Sequence, residues 1–278
     1  MVCPHSLRRG QMLTGTSFAE YCVSKGDLLI KLPESLSFEE AATFPLGTAT
    51  VGQGLFQKAL RLNLPTEPTK TPEPILIYGG SSATGSLGIQ FARLAGYHVI
   101  TTCSPKNNNF VKSVGAHEVF DYKDAECGKK INKATGDKLK LIWDTISLEG
   151  SAKICADAMS SDTSGARYGT ILPVKFPRDG VETTMTLMYT IFNDPFHKFG
   201  QDFPAVTEDF EFAKKFFGIT EKLLAEKKLK THPEKVGGKG LEGALQGLHD
   251  MEDGKVSGVK LVYRVNETPA DSKAEEEF

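Results

Sequence analysis

A chain of 278 residues, 40% hydrophobic and 24% charged, with a formal net charge of −2, is long enough for one large or two ordinary domains around a substantial core. Its near-neutral balance offers no basic surface for nucleic acid or an anionic membrane, no apolar run reaches the length of a bilayer span, and the first residues lack the apolar stretch of a secretion signal, so a cytoplasmic location is the default. Five cysteines without a C-x-x-C pair and six histidines without H-E-x-x-H spacing argue against a disulfide framework and against a structural or catalytic zinc; the nearest approach to a metal pair, Cys3-Pro-His5, is better explained by a disordered terminus.

In chain order, residues 1–15 read as irregular. Apolar residues cluster or alternate over 17–23 and 27–31, which predicts two short strands about the turn Lys25-Gly26. Ser37-Phe-Glu-Glu40 has the form of a capping box, a serine N-cap with glutamate three residues on, opening a short helix that Pro45 interrupts. Residues 46–62 read as a second helix in which Gly47, Gly52 and Gly54 permit close packing or ligand approach. Pro65, Pro68, Pro72 and Pro74 then make an extended linker.

Residues 75–78 read as a buried strand, Gly79 to Thr84 as a loop of glycines and small hydroxyl residues, and Leu87, Ile89, Phe91, Leu94 and Ala95 recur at helical spacing. Strand, glycine-rich turn and helix together form the opening of a dinucleotide-binding βαβ unit: small residues let the backbone approach a pyrophosphate, and the helix N-terminus offers free N–H groups. In the G-x-G-x-x-G frame Gly85 and Gly88 hold the second and third places, but Ala83 replaces the first glycine, so taken alone the turn also reads as one with no ligand. The alternation continues, with strands at 98–103, 118–122, 139–144 and 167–172 and helices at 107–114, 125–135 and 147–159. That spacing predicts an α/β fold with a doubly wound parallel sheet. Residues 183–192 are ambiguous by pattern. A helix over 208–226, a turn over 237–240, a helix over 241–252 and a strand over 259–265 follow, and the polar residues 267–278 read as disordered. No internal repeat is present.

A dinucleotide fold declares its cofactor at the end of the second strand, where a carboxylate selects NAD through the ribose 2′-hydroxyl. Here that place reads Thr102-Cys103-Ser104-Pro105-Lys106-Asn107 and has no carboxylate. A hydroxyl, a cation and an amide can all donate to a 2′-phosphate, which favours NADP(H); the same Ser-Pro sequence is also an ordinary N-cap. Tyr122 and Lys123, after the third strand, could stack near the adenine or add charge, or simply pack at a strand end.

The segments Phe18-Ala-Glu-Tyr21, Leu36-Ser-Phe-Glu-Glu-Ala-Ala42, Tyr78-Gly-Gly-Ser-Ser-Ala-Thr84, Cys103-Ser-Pro-Lys-Asn107, Gly115-Ala-His-Glu-Val-Phe-Asp-Tyr122 and Ser257-Gly-Val-Lys-Leu-Val262 resemble the zinc-free medium-chain dehydrogenase/reductase superfamily. Within it they resemble the fungal trans-acting enoyl reductases of secondary metabolism, the TOXD-like branch. The resemblance implies a Rossmann sheet with remnants of a GroES-like β-rich domain at its N- and C-terminal ends. It places that remnant at 1–44, the dinucleotide domain and substrate-cleft segment at 45–225, a C-terminal return at 226–265 and a tail at 266–278. Most of the GroES-like domain, which in that family supplies one wall of the active site, is missing from this chain, as an incomplete gene model, a fragment or a genuinely shortened protein would each leave it.

The same resemblance implies NADPH with Ser81, Ser82, Ala83 and Thr84 at the pyrophosphate and Ser104, Pro105, Lys106, Asn107 and Tyr122 at the adenosine phosphate. Leu172 and Pro173 would lie by the nicotinamide, and Ser257 and Gly258 would close over the cofactor. It further implies a substrate cleft lined by residues 46–53, including Leu46, Gly47 and Thr48, and by Thr190, Ile191, Phe192 and Asn193; ordinary core packing is the alternative for both stretches. The implied reaction passes hydride to the β-carbon of an α,β-unsaturated thioester or ketone, with a carrier-bound substrate and a polyketide synthase as partner. No residue stands out as proton donor; Tyr189 and Thr190 fall in the cleft, and solvent serves equally. The scaffold also supports a quinone or aldehyde reductase, and an inactive NADPH- or partner-binding protein is the reading from another class.

Overall fold

Four consecutive apolar residues, Ile75 to Tyr78, bury both faces of one strand and make it the centre of the sheet. The computed structural model describes residues 18–22 and 24–269; the expectations for 1–15 and 270–278, and for Cys3 and His5, lie outside the described residues. In chain order the elements are helices α1 (Phe38–Ala41) and α2 (Pro45–Val51), the latter running into a π-helical turn (Gly52–Gln57), then β1 (Pro74–Tyr78), α3 (Ala83–Leu94), β2 (His98–Cys103), α4 (Asn108–Ser113) and β3 (Glu118–Asp121). After these come α5 (Cys127–Ala134), β4 (Leu141–Asp144), α6 (Glu149–Ala158), β5 (Arg167–Thr170), β6 (Glu182–Met185), a 3₁₀ turn (Met188–Phe192) and the hairpin β7 (Phe196–Lys198) and β8 (Gln201–Phe203). The last are α7 (Thr207–Ala225), β9 (Glu234–Gly237), α8 (Gly240–Glu252) and β10 (Lys260–Tyr263).

The main sheet has six strands in the order β3-β2-β1-β4-β5-β6, every pair parallel. The order reverses between β1 and β4, where an open α/β sheet leaves a crevice outside the carboxyl ends of its strands. Alternation along the strands builds two cores. Ile75, Ile77 and Trp143 pack with Leu87, Phe91, Leu55 and Phe216 from α3, the π-helical turn and α7. Leu76, Tyr78, Ile100 and Ile142 pack with Ile131, Ala152 and Cys155 from α5 and α6. Trp143 is fully buried in a slot that glycines create: a Cβ at Gly88 would lie 2.6 Å from its ring, one at Gly169 2.9 Å, and one at Gly54 would overlap the indole.

The structure corrects several local expectations. The described part of 17–23 is irregular, and over 27–31 there is a 3₁₀ turn (Gly26–Leu28) and extended chain, with no strand. A strand needs a neighbour for its N–H and C=O groups; here Leu28 instead plugs a small apolar cluster and the Lys31 N–H donates to Glu221 Oε2 at 2.7 Å. The helix expected over 46–62 begins one residue earlier, at Pro45, and loosens at Gly52, where Lys58 N reaches Gln53 O at 2.9 Å and Leu60 N reaches Gly54 O at 3.0 Å. The ambiguous 183–192 supplies the sixth strand and a 3₁₀ turn. Gly237 belongs to β9, which pairs in parallel with β10; the turn proper is at Lys239, whose φ is 65°. The capping box at Ser37 is present, with Glu40 N donating to Ser37 Oγ and Ser37 N to Glu40 Oε2.

Candidate cofactor site

At the end of β1 the chain turns at Gly79, whose φ of +81° suits glycine. Gly79 N donates to Thr102 Oγ1 at 3.1 Å, Gly80 N to Thr102 O at 3.0 Å, and Thr145 Oγ1 to Tyr78 O at 2.7 Å. The turn is thus held from both sides, by β2 and by the loop after β4. A Cβ at Gly80 would overlap the Thr101 hydroxyl and one at Gly85 the Gly79 carbonyl, so the helix start is pressed onto the turn. Ser82 is the N-cap of α3: its Oγ accepts from Gly85 N at 2.9 Å and lies 3.3 Å from Thr145 Oγ1. That hydroxyl is committed to the fold. Ser81, Ala83 and Thr84 stay partly exposed at the helix end where N–H groups lack intrahelical partners. A small-residue cradle at a helix N-terminus fits a dinucleotide pyrophosphate.

The second cluster stands beyond β2 and β3. Ser104 Oγ lies 3.2 Å from Tyr122 Oη, and Asn107 Nδ2 donates to Ser257 Oγ at 3.3 Å. Gly258, with φ +70°, presses on Asn107, since a Cβ there would sit 2.9 Å from Asn107 Oδ1. Five residues from three distant stretches are therefore in contact, while Pro105 and Lys106 project into solvent. Asp121, the carboxylate at the end of β3, accepts from Lys123 N at 3.0 Å. Leu172 and Pro173 are exposed beyond β5, and that loop is tied to the loop after β4 by Ile171 N donating to Ser147 Oγ at 2.9 Å.

Sequence reasoning missed the polar groups that fix these loops. Asp144, fully buried at the end of β4, accepts from Ile146 N (2.9 Å), Ser147 N (2.8 Å), Ser151 Oγ (2.6 Å) and Tyr168 Oη (2.7 Å). Thr101, Thr102 and Thr145 hold the glycine turn. The signal available was hydroxyl and carboxylate residues in place of apolar ones at the carboxyl ends of buried strands. His232, from the connection after α7, sits with Nδ1 2.9 Å from Ser86 Oγ on α3; burial, helped by the Lys260 charge, lowers its pKa to about 4, so the ring there is neutral at physiological pH. Burial pushes the Cys103 and Cys127 thiols up to about 11, which keeps them protonated and unreactive.

The two stretches expected to line a substrate cleft do meet: Gln53 Nε2 donates to Thr190 Oγ1 at 2.8 Å. Their side chains are divided, however. Thr48 is fully buried and donates to Phe44 O at 3.1 Å, Gly47 abuts Leu87, and Ile191 packs with Leu28, Ala49 and Phe217. All three positions are buried within this chain. Leu46, Phe192 and Asn193 remain at least partly exposed. Thr190 donates to the buried Asp209, which also takes Lys58 Nζ at 2.6 Å and Gln57 Nε2 at 2.9 Å.

Residues 83–189 match the family model described as a zinc-binding dehydrogenase, yet among the described residues no group of three His, Cys, Asp or Glu side chains could hold a metal ion. The chain is similar to trans-enoyl reductase ACTTS2 of Alternaria alternata, 44% identical over 265 residues that cover 95% of this chain and 74% of that protein. It is also similar to trans-enoyl reductase TOXD of Cochliobolus carbonum, 49% identical over 180 residues, 65% of this chain and 60% of that protein. Among solved structures the JamJ enoyl reductase in its apo form superposes with a TM-score of 0.65 at 19% identity, covering 86% of this chain and 66% of that one; at that identity the likeness concerns the fold. No described helix is long and apolar enough to cross a membrane.

Proposed function

The chain belongs to the fungal trans-enoyl reductase family, within the medium-chain dehydrogenase/reductases, and from that membership we propose that it reduces the carbon–carbon double bond of a carrier-bound α,β-unsaturated thioester with NADPH and without zinc. The observation that carries the reading is the similarity to a trans-enoyl reductase over 95% of this chain, joined to a glycine cradle whose neighbours leave no room for a side chain.

When bound, the nicotinamide supplies the hydride. The chain's own residues bind and orient. Ser81, Ala83 and Thr84, with Ser82 capping α3, would hold the pyrophosphate. Ser104, Lys106, Asn107 and Tyr122 would hold the 2′-phosphate: each presents a donor, Lys106 adds opposite charge, and no carboxylate stands among residues 104–107 to repel it. Pro105 shapes the turn between them. Ser257 and Gly258, already against Asn107, would cover the adenosine end, and Leu172 and Pro173 would flank the nicotinamide. Leu46, Phe192 and Asn193, with Gly47, Thr48, Thr190 and Ile191 buried behind them, would form the wall facing the substrate. Thr190 does not serve as acid in this reading, because its proton is given to Asp209; Tyr189 or water delivers the proton that completes reduction. A polyketide synthase would present the substrate on its carrier.

The test is NADPH consumption by the full chain with enoyl thioesters and with quinones. Saturable oxidation with the enoyl thioester and none with its saturated counterpart is expected. Turnover with quinones alone, or tight NADPH binding with no turnover, would overturn the proposal.

A further inference from the structure

Residues 24–32, which include the second of the two expected strands, instead form a strap over an apolar cavity of about 290 Å³. The strap is pinned at both ends. The Lys25 ammonium donates to Phe192 O and pairs with Asp194 at 2.9 Å, and Lys31 N donates to Glu221. Ala49, Ile191 and Phe217 lie at the buried end of the cavity; Leu29, Leu32 and Phe38, which are 52%, 36% and 85% exposed, ring its mouth. Ser24 is the one polar residue among those that line it.

We propose that this cavity receives the hydrocarbon tail of the acyl substrate, an inference that rests on the enoyl-reductase reading. Size is the first argument. A dry cavity of roughly 150 Å³ lined by Leu, Ile and Phe holds benzene, so one of about 290 Å³ accepts a chain on the order of ten carbons. Chemistry is the second: a lining without charge and almost without hydrogen-bonding groups selects alkyl over polar ligands. Position is the third. Phe44 lines the cavity and also a small gap bordered by Ala83, Ser86 and Leu87 at the start of α3. The tail site and the start of the helix that opens at the glycine turn therefore share a lining residue. Exposed apolar residues gathered at a mouth, rather than scattered, are the usual mark of an entry or contact surface.

The experiment measures equilibrium binding of saturated N-acetylcysteamine thioesters, from butanoyl to dodecanoyl, to the full chain by calorimetry, so that turnover is not needed. Affinity rises about three- to fourfold per methylene and levels off near ten carbons. Ala49→Phe, at the buried end, and Ala42→Leu, on the partly exposed wall, move that plateau to shorter chains while NADPH affinity, as a check on folding, stays the same. Should Ala49→Phe not fold, the wild-type series and Ala42→Leu still decide. Affinity independent of chain length overturns the assignment, as does a plateau that neither variant moves. A flat series together with self-association that Phe38→Ser abolishes would assign the mouth to a second copy of the chain instead. Chain-length-dependent binding without turnover of enoyl thioesters would refute the reductase reading and keep the tail site; turnover with a flat series would do the reverse.

Discussion

Lys106 stands on an exposed turn while Ser104 and Asn107, on either side, are already in contact with Tyr122 and Ser257. Such an arrangement leaves one cation free to meet an anion at a rim of preset hydroxyls. Replacing Ser104 and Lys106 together by alanine is expected to weaken NADPH binding roughly tenfold or more, since charge-assisted hydrogen bonds are lost, and NADH binding by about twofold at most. Fluorescence titration of both cofactors measures this; equal losses would remove the 2′-phosphate assignment. Asp144 shows the opposite use of a polar residue. Four donors saturate its carboxylate inside the fold, so it positions the loop after β4.

At the scale of elements, the turn between β1 and α3 depends on glycine for closeness as much as for its positive φ. An added Cβ at Gly85 meets the backbone of Gly79 and Gly80, which cannot swing aside as a side-chain tip could. Gly85→Ala should therefore lower unfolding free energy by about 1–3 kcal/mol and weaken dinucleotide binding; urea denaturation and cofactor titration read the two effects. Unchanged stability would mean that the helix start has slack the contact does not suggest. The same closeness governs the segment after α2, where Gly52 and Gly54 lie against Phe216 and Trp143. Its helical periodicity was legible in the sequence. The widening into a π-helical turn was not; there Gly54 lies against Trp143, a residue nearly ninety positions later.

Across the whole molecule the four inner strands of the parallel sheet, β2, β1, β4 and β5, are buried on both faces, whereas β9 and β10 form a separate two-stranded pair beside α8, whose Leu245, Leu248 and Met251 are exposed. A two-stranded sheet has little stability of its own, so this unit should open more readily than the main sheet. Native-state hydrogen exchange is expected to show amides of β1 and β4 protected at least about a hundredfold more than those of β9 and β10. Equal protection would show the two sheets opening as one cooperative unit.

The glycine-rich turn, the strand–helix alternation behind it and the missing carboxylate after β2 were readable from residue order alone, because periodicity, turn chemistry and helix capping act within a few residues. Tertiary structure decided what lies beyond that range. Over the described residues it replaced the strands expected at 17–23 and 27–31 with irregular chain and a 3₁₀ turn, since a strand exists only where another chain segment completes its hydrogen bonds, and made residues 24–32 the strap of an apolar cavity. It joined Ser104 to Tyr122 beyond two neighbouring strands and Asn107 to Ser257 from the connection before β10. It also turned Thr48, Thr190 and Ile191 into packed interior, because burial is set by which surfaces meet and not by the residues adjacent in sequence.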